Sequence, residues 1–396
     1  MKIKLNIFHT ALILLSMSLL FGSGCSKKES SSAVTSTTDN STSSDTTSTD
    51  ISDNTTSTFA VSEITQSIEG GSYTGSFAIP SDGVSFLLSI FKDSNANVEF
   101  YSLTDPDGTD ILSSTSTPNL YNDASGSLGS NVPKAGYSNV LVPQSPSFSA
   151  KAGTWTFKAK SNDRVKLALR TGTVPSSTTI VVQPYITGTT WQAADLSAAL
   201  SIMSTIYSSN GITLTINSTI SISDTQYAEV SRTFTNSTTS ALVSQGVNGA
   251  VNLFFIKDFS SSGILGIAAG MPGSMGIANS WNGVLIGLMA HASGSTLNSQ
   301  LLGETAAHEM GHQLGLFHTT EMGGTVFDIL TDTQECSNSR DNDGDGKMSA
   351  EECEDYGGEN VMFWTAWSSS SRSAGKKQET LSSYQQKVLK YSPIAK

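Results

Sequence analysis

The chain has 396 residues, 37% of them hydrophobic and 14% charged, with 22 basic against 34 acidic side chains and three cysteines. This length favours about two to three domains, and the apolar fraction suffices for folded cores, which excludes a wholly disordered chain. The formal net charge of −12 repels phosphate backbones, so nucleic acid is not expected as a partner.

Residues 1–24 are predicted to be a signal peptide, because two lysines precede an apolar run at 11–21 that is too short to span a bilayer. The small residues before Cys25 resemble the cleavage box of bacterial lipoproteins, although Gly22 stands where that box usually has Leu. The resemblance implies lipidation of Cys25 and an exported protein anchored in the bacterial cell envelope, at the outer membrane or cell surface. The alternative is an ordinary secretory signal, which leaves an odd thiol unexplained.

Residues 25–58 are predicted to be a linker, since 20 of the 30 residues from Glu29 to Thr58 are Ser or Thr and cannot form a core. Residues 59–173 alternate short apolar runs with turn residues, which indicates a β-sandwich. The runs at 153–157 and 164–169 are expected to form its last hairpin. No ligand-binding pattern is visible here, so we interpret this region as an accessory domain.

Residues 178–396 have a different texture, with apolar strands expected at 179–186, 212–216, 251–255, 263–273 and 284–289. A helix is predicted over 191–209 from apolar residues at three- and four-residue spacing, and another from about Asn298. The predicted fold class is therefore α+β: a twisted mixed sheet with an active-site helix, preceded by the β-sandwich.

Three of the five histidines lie within eleven residues, at His308, His312 and His318. The first two are four apart and project from one face of a helix, where their ring nitrogens can hold one Zn²⁺. Gly315 can take a positive φ and redirect the chain so that His318 supplies a third ligand. Three protein ligands leave a fourth position for water. The other side of this helix carries an apolar stripe: Leu302, Ala306, Met310 and Leu314.

Glu309 follows the first histidine and is the expected general base that activates the zinc-bound water. The alternative is a closed structural zinc site. Such sites usually have four protein ligands and need no glutamate at this position. We also note His291, Glu304 and Glu321 as polar residues near the motif, which are interpreted as surface or supporting groups.

The pattern His-Glu-x-x-His-x-x-Gly-x-x-His over 308–318 resembles that of the metzincin zinc peptidases, whose second hallmark is a methionine-containing turn beneath the metal. Met362, within Glu359–Trp364, matches that turn. The resemblance implies a zinc-dependent endopeptidase that hydrolyses proteins or peptides, with residues 178–396 as its catalytic domain.

Within the metzincins, this chain is similar to the pappalysins. The shared residues are Thr319, Asp328, Asp332, Thr333, Asn360 and a closing segment Ser382–Gln385. Pappalysins have a Tyr two residues after the Met, whose hydroxyl is thought to stabilise the oxyanion. Trp364 occupies that position here, so either another donor serves or the zinc acts alone.

Residues 341–352 match the twelve-residue EF-hand calcium loop, with a glycine at its sixth position. Hard oxygen ligands at this spacing predict a structural Ca²⁺ rather than a sensor, while a solvated acidic turn is the alternative. The candidate ligands are Asp341, Asp343, Asp345, the carbonyl of Lys347, Ser349 and Glu352.

Cys336 and Cys353 bracket this loop and are the only thiols besides Cys25. In an exported protein they are expected to form a disulfide, which would stabilise the fold by about 3 kcal/mol.

Two functions follow from these patterns. The first is a lipid-anchored zinc endopeptidase whose substrates are proteins and whose membrane contact is the N-terminal lipid. The second is a non-catalytic surface lipoprotein, an adhesin or binding module, in which the sandwich is the active part. The intact Glu309 favours the first, and a single zinc site disfavours a metal-scavenging role.

Overall fold

The fold is described from a computed structural model, which covers residues 57–396 apart from 71, 93–96, 113–133, 147, 160–163, 175, 189 and 262. The predicted signal peptide, Cys25 and the predicted linker up to residue 56 lie outside the described residues. None of the helices in this described part has the length and apolar character needed to cross a membrane.

The N-terminal part consists of two antiparallel sheets, with strand orders β1-β10-β4-β8 and β2-β3-β9-β6, plus the small pair β5-β7. Their shared core contains Phe86, Phe100, Trp155 and Phe157, all buried, which agrees with the expected β-sandwich. The strands are β1 (Thr58–Ile64), β2 (Ser67–Glu69), β3 (Ser72–Ile79), β4 (Gly83–Phe91), β5 (Asn97–Val98), β6 (Phe100–Thr104), β7 (Lys134–Ala135), β8 (Tyr137–Val142), β9 (Gly153–Ala159) and β10 (Arg164–Thr171).

The expected hairpin of the last two strands is wrong. Strand β9 pairs with β3 and β6, whereas β10 pairs with β1 and β4 in the opposite sheet. The sequence pattern predicts where each strand lies but not which strand it pairs with. Pairing and register depend on which faces become buried in the folded protein.

The C-terminal part is a mixed sheet with helices, as predicted, in the order β12-β11-β15-β18-β17. Neighbouring strands are parallel except for the edge strand β17. Its strands are β11 (Thr178–Thr187), β12 (Ile212–Ile216), β13 (Ile220–Ile222), β14 (Glu229–Val230), β15 (Val251–Ile256), β16 (Asp258–Phe259), β17 (Gly266–Ala268), β18 (Val284–Gly287), β19 (Ala292–Ser293) and β20 (Thr296–Leu297). Its helices are α1 (Ser197–Ser209), α2 (Ser237–Val243), α3 (Ser299–Gln313), α4 (Ser369–Ser373) and α5 (Ser383–Lys390).

Helix α1 lies against α3 and positions it over the sheet. A short 3₁₀ turn, Ala193–Leu196, precedes α1, so the α-helix begins later than the sequence pattern indicates. The hydroxyl of Tyr207 donates to the carbonyl oxygen of Ala307 across 2.9 Å. This bond and the buried apolar side chains of α1 fix the height of α3 above the strands.

A second hydrophobic core, distinct from the sandwich interior, is shared between the sandwich and the mixed sheet. Even-numbered residues of β4, such as Phe86 and Leu88, face the sandwich interior. Odd-numbered residues, Leu87 and Phe91, pack with the C-terminal part. Because successive side chains of a strand point to opposite faces, β4 is buried on both sides. The N-terminal residues of this shared core are Leu87, Phe91, Tyr137, Leu141 and Ala168.

Buried polar side chains of the sandwich also donate to backbone carbonyls at three points of the C-terminal part, one of them the last residue of α5. Each such donor is less than a tenth exposed. The bonds are Asn139 Nδ2 to Pro272 O at 3.1 Å, Gln144 Nε2 to Gly315 O at 2.9 Å and Arg170 Nη1 to Lys390 O at 2.7 Å. A buried carbonyl that lost its donor would pay a desolvation penalty, so these contacts specify one docked arrangement.

Candidate active site

Helix α3 carries the first two histidines. It begins after Asn298, whose side-chain oxygen accepts the N–H of Leu301 at 3.1 Å, a normal N-cap. The predicted apolar stripe is fully buried, with each member at 0% exposure: Leu302, Ala306, Met310 and Leu314. Burial of this stripe places His308 and His312 on a face that lines a cavity.

The helix ends in a Schellman motif that redirects the chain. Gly315 has φ +104°, a conformation that L-residues rarely adopt. The N–H of Leu316 donates to Gly311 O, and that of Gly315 donates to His312 O, each at 2.9 Å. The chain therefore turns back beneath the helix, and His318 reaches the other two histidines.

The three imidazoles converge through their Nε2 atoms. His318 Nε2 lies 3.1 Å from His312 Nε2 and 3.3 Å from His308 Nε2. On the opposite sides of their rings, His308 Nδ1 donates to Val361 O at 2.7 Å and His312 Nδ1 to Leu316 O at 2.8 Å. His318 Nδ1 lies 3.1 Å from a carboxylate oxygen of Glu321. With Nδ1 protonated in this way, the Nε2 lone pairs remain available for a cation.

This geometry fits zinc. Tetrahedral ligands at about 2.1 Å from Zn²⁺ are about 3.4 Å from one another, close to the observed separations. Burial, with the nearby charge of His318, lowers the pKa of His308 to about 3, and burial lowers the pKa of His312 as well. The rings of His308 and His312 are therefore neutral near pH 7, which is the form that binds metal.

Glu309 lies beside the triad and lines the same cavity. Its residue exposure is 8%, and burial raises the pKa of its carboxyl to about 8 against the opposing effect of an Ala268 N–H. A divalent cation on the triad would lower this pKa again, because it favours the charged carboxylate. The carboxyl group is thus hydrogen-bonded to the edge strand β17 and lies beside the three histidines.

The turn around Met362 lies directly below α3. Its Sδ occupies the space that a Cβ on Gly311 would need, so only glycine fits at that helix position. Val361 O accepts from His308, and Met362 O accepts the N–H of Thr319 at 3.0 Å. The turn therefore supports both ends of the histidine motif.

Other residues of the pappalysin-like pattern form side-chain hydrogen bonds near this turn. Asn360 and Gln385 exchange two side-chain hydrogen bonds, at 2.8 and 3.2 Å, in a buried environment. Asp332 accepts from the hydroxyl of Ser382 and the N–H of Tyr384, both at 2.8 Å. Residues that are distant in sequence thus tie α5 to the methionine turn.

Trp364 does not replace the tyrosine hydroxyl. The side chain lines the cavity, but its indole N–H donates to Met348 O, at 2.5 Å. An N–H engaged in this bond is unavailable to an oxyanion in the cavity. Trp364 instead links the site to the segment that contains the predicted calcium loop.

That segment contains the predicted disulfide, Cys336–Cys353, with a Cα–Cα distance of 5.7 Å. The two sulfurs are buried in a small cluster with Met348, Phe363 and Trp367. The cluster therefore joins the predicted calcium loop to the methionine turn.

Within the loop, carboxylate oxygens of Asp341, Asp343 and Asp345 lie within 4.8 Å of one another. Glu352 folds back across the loop and accepts from Asn342 N and Ser349 Oγ at 2.6 and 2.8 Å. The loop is preceded by a single 3₁₀ turn, Asn338–Arg340, rather than by an α-helix. It is thus shaped like an EF-hand loop without the flanking helix pair.

Sequence reasoning missed two residues of the cavity. Tyr137 comes from the sandwich, stacks on Trp281 with ring centroids 4.1 Å apart, and donates its hydroxyl to Ala269 O. Arg372 comes from α4 and forms an ion pair with Glu304. Neither lies near the histidine motif in sequence.

Of the polar residues singled out earlier, His291 bonds to Gly287 O and Thr305 Oγ1 and is a supporting group.

The chain is similar to known metallopeptidases. A family model described as Metallo-peptidase family M12B Reprolysin-like matches residues 193–319, which include the whole triad. The chain carries a metallopeptidase domain. With the histidine geometry above, this domain is of the zinc-dependent hydrolase type, and its α+β fold agrees with the metzincin-like arrangement predicted.

The solved structures to which the chain is similar are distant in sequence. Mature mirolysin of Tannerella forsythia, in complex with a cleaved peptide, has 17% identity and a TM-score of 0.38, covering 54% of this chain and 91% of its own. Metalloproteinase-II of Bacteroides fragilis has 14% identity and a TM-score of 0.26, covering 38% of this chain and 52% of its own. No curated protein sequence matches the chain.

Proposed function

We propose that this protein is an extracytoplasmic zinc endopeptidase that hydrolyses peptide bonds within proteins, with His308, His312 and His318 as ligands and Glu309 as general base. The observation that carries the proposal is the convergence of three histidine Nε2 atoms beside a buried carboxyl group. Bound zinc would act as a Lewis acid and lower the pKa of a water molecule. The cavity along the edge strand β17 offers room for an extended peptide.

In this proposal Glu309 takes a proton from the attacking water and delivers it to the leaving amine. Its position under β17 keeps the carboxyl group shielded from bulk solvent, which favours proton transfer near neutral pH. The pappalysin-like pattern supports a place in that subgroup of the metzincins, since Asn360, Gln385, Asp332 and Ser382 form the contacts around the methionine turn.

The test is zinc content and peptide hydrolysis in the wild type and in His312→Ala. We expect about one Zn²⁺ per chain in the wild type, and loss of both zinc and hydrolysis in the variant, because two histidines bind the metal far more weakly. His291→Gln is the matched control, since it removes a buried histidine outside the triad and should retain zinc. Well-folded wild type without zinc, or inert on a diverse peptide library, would refute the proposal.

We infer that residues 341–352 bind a structural Ca²⁺. The clustered carboxylates of Asp341, Asp343 and Asp345 repel one another, and a cation relieves that repulsion. Glu352 and Ser349 already close the loop through their hydrogen bonds. Because this loop and the methionine turn share the cluster around the disulfide, calcium would stabilise the floor of the active site.

Calcium is therefore expected to raise the melting temperature. At a concentration 100-fold above the Kd, binding to the folded state adds about 2.7 kcal/mol, which corresponds to roughly 5–10 °C for a domain of this size. Asp343→Ala should lose most of this shift. Glu335→Gln removes an exposed charge outside the loop and should keep it. Identical melting curves in excess Ca²⁺ and in a calcium-selective chelator would leave only a solvated acidic turn.

We further propose that Cys25 is lipidated and anchors the protein in the cell envelope, facing away from the cytoplasm. The support is the sequence pattern at 1–25 and the polar segment that follows it. A Cys25→Ser variant is expected to lose lipid labelling and to leave the membrane fraction. Equal membrane retention and equal mass shifts in the two forms would exclude anchoring through this residue.

A further inference from the structure

The cavity over the triad has a volume of about 750 Å³ and a mixed lining. Much of its wall is apolar, including Leu265, Ile267 and Trp281. In contrast, Glu304 and Arg372 form a polar patch in the lining. Glu304 precedes His308 by four residues on α3, which places this patch about 6 Å along the helix axis from the first zinc ligand. A residue next to the scissile bond could therefore reach it.

Both carboxylate oxygens of Glu304 already accept a hydrogen bond within the polar patch. Glu304 accepts from Gln300 Nε2 at 2.7 Å with one oxygen and from Arg372 Nη1 with the other. The side chain of Glu304 is only 3% exposed. Burial of this carboxylate and its pairing with Arg372 therefore make it a poor acceptor for an incoming basic side chain.

The guanidinium of Arg372, in contrast, has donors left over. Its Nε donates to Trp367 O at 3.0 Å and its Nη1 to Glu304. Its Nη2 is buried and has no hydrogen-bond partner among the described residues. The side chain is 8% exposed and belongs to the cavity wall. An unpaired buried N–H is destabilising, and an acceptor on a ligand would provide the missing hydrogen bond.

We propose that Arg372 determines substrate specificity, and that the cavity beside it takes a side chain ending in a carboxylate or carboxamide oxygen. Glu or Gln can accept from the Nη2 of Arg372, and charge assistance strengthens the bond for Glu. Lys or Arg would bring further donors and a like charge to the guanidinium. An apolar side chain would leave Nη2 unpaired. This inference rests on the proposed peptidase function.

The test compares quenched fluorescent peptides that differ only in one of the two residues flanking the scissile bond, with Glu, Gln, Leu or Lys at each. In the wild type we expect kcat/KM to be at least about tenfold higher for Glu and Gln than for Lys at one of the two positions, equivalent to about 1.4 kcal/mol. The ratio between peptides is the readout, because a loss of folded enzyme lowers all rates equally.

The choice of variants has to take account of the buried ion pair between Arg372 and Glu304. Arg372→Met alone leaves Glu304 unpaired and can unfold the domain, so the double variant Glu304→Gln with Arg372→Met is measured beside it. We expect the Glu-to-Lys ratio to fall to about one in the double variant. Glu304→Gln alone leaves the buried guanidinium without its counter-ion, although the amide oxygen can still accept from Arg372 Nη1, so its melting curve is recorded first. In the folded variant, loss of the competing negative charge should increase the preference for Glu.

The outcomes separate the two proposals. Wild type that cleaves none of the peptides would overturn the peptidase function, and the specificity with it. Wild type that cleaves peptides without preferring Glu and Gln over Lys at either position would overturn only the role of Arg372. So would an unchanged ratio in a folded double variant, since a purely structural ion pair affects all peptides alike.

Discussion

Glu309→Gln is expected to lower kcat for peptide hydrolysis by at least about 100-fold, while the zinc content stays near that of the wild type. The amide has the same shape as the carboxyl group but cannot accept the proton of the attacking water, and lost general-base catalysis has this magnitude. The three histidines keep their hydrogen bonds to Val361 O and Leu316 O. Stopped assays with added zinc and metal analysis of the same preparation check both parts.

Glu321→Gln is the matched control for Glu309. It also removes one negative charge near the triad, but Glu321 contacts His318 Nδ1, and an amide oxygen can still accept from that ring. We expect its loss of activity to stay below about tenfold. Equal losses in the two variants would mean that Glu309 acts through its charge rather than as a base.

Deleting the β-sandwich is expected to prevent stable folding of the catalytic part. Residues 174–396 alone would expose the surface against which Leu87, Phe91, Tyr137 and Leu141 pack. Burial of four such side chains contributes roughly 6–12 kcal/mol, which is comparable with the entire stability of a typical domain. The chain should aggregate or melt without a cooperative transition.

The control for this deletion removes only residues 26–56. That segment is polar in sequence, so the melting temperature and the activity should be unchanged. A cooperative melting transition and wild-type hydrolysis by residues 174–396 alone would show that the sandwich is dispensable.

A point variant, Leu141→Ala, should lower the free energy of unfolding by about 2–5 kcal/mol.

The run Val84–Phe91 contained the signal for this docking, although the sequence interpretation did not use it. A sandwich strand with one solvent-facing side alternates apolar and polar residues, whereas this run includes Phe86, Leu87 and Leu88 in succession. Such a run indicates burial on both faces. It does not indicate which surface covers the second face, because that depends on the position of distant strands.

The sequence by itself determined the features that depend on short spacing. The four-residue interval between His308 and His312 fixes their shared helix face, and Gly315 fixes the turn that returns His318. The spacing of the oxygen-bearing residues in 341–352 predicted the calcium loop. Because the chain has only three thiols and Cys25 was assigned to the lipid anchor, Cys353 was the expected disulfide partner of Cys336. These are local rules of backbone geometry and simple chemistry.

Only the tertiary structure decided which distant groups meet. Glu304 and Arg372 are 68 residues apart, and Tyr137 reaches Ala269 across 132 residues. The placement of β9 and β10 in opposite sheets and the direction of the Trp364 indole also depend on packing. A local pattern specifies which face of an element is apolar, but many surfaces can cover that face. The partner is selected by the whole core, where close packing and paired polar groups leave one arrangement of low free energy.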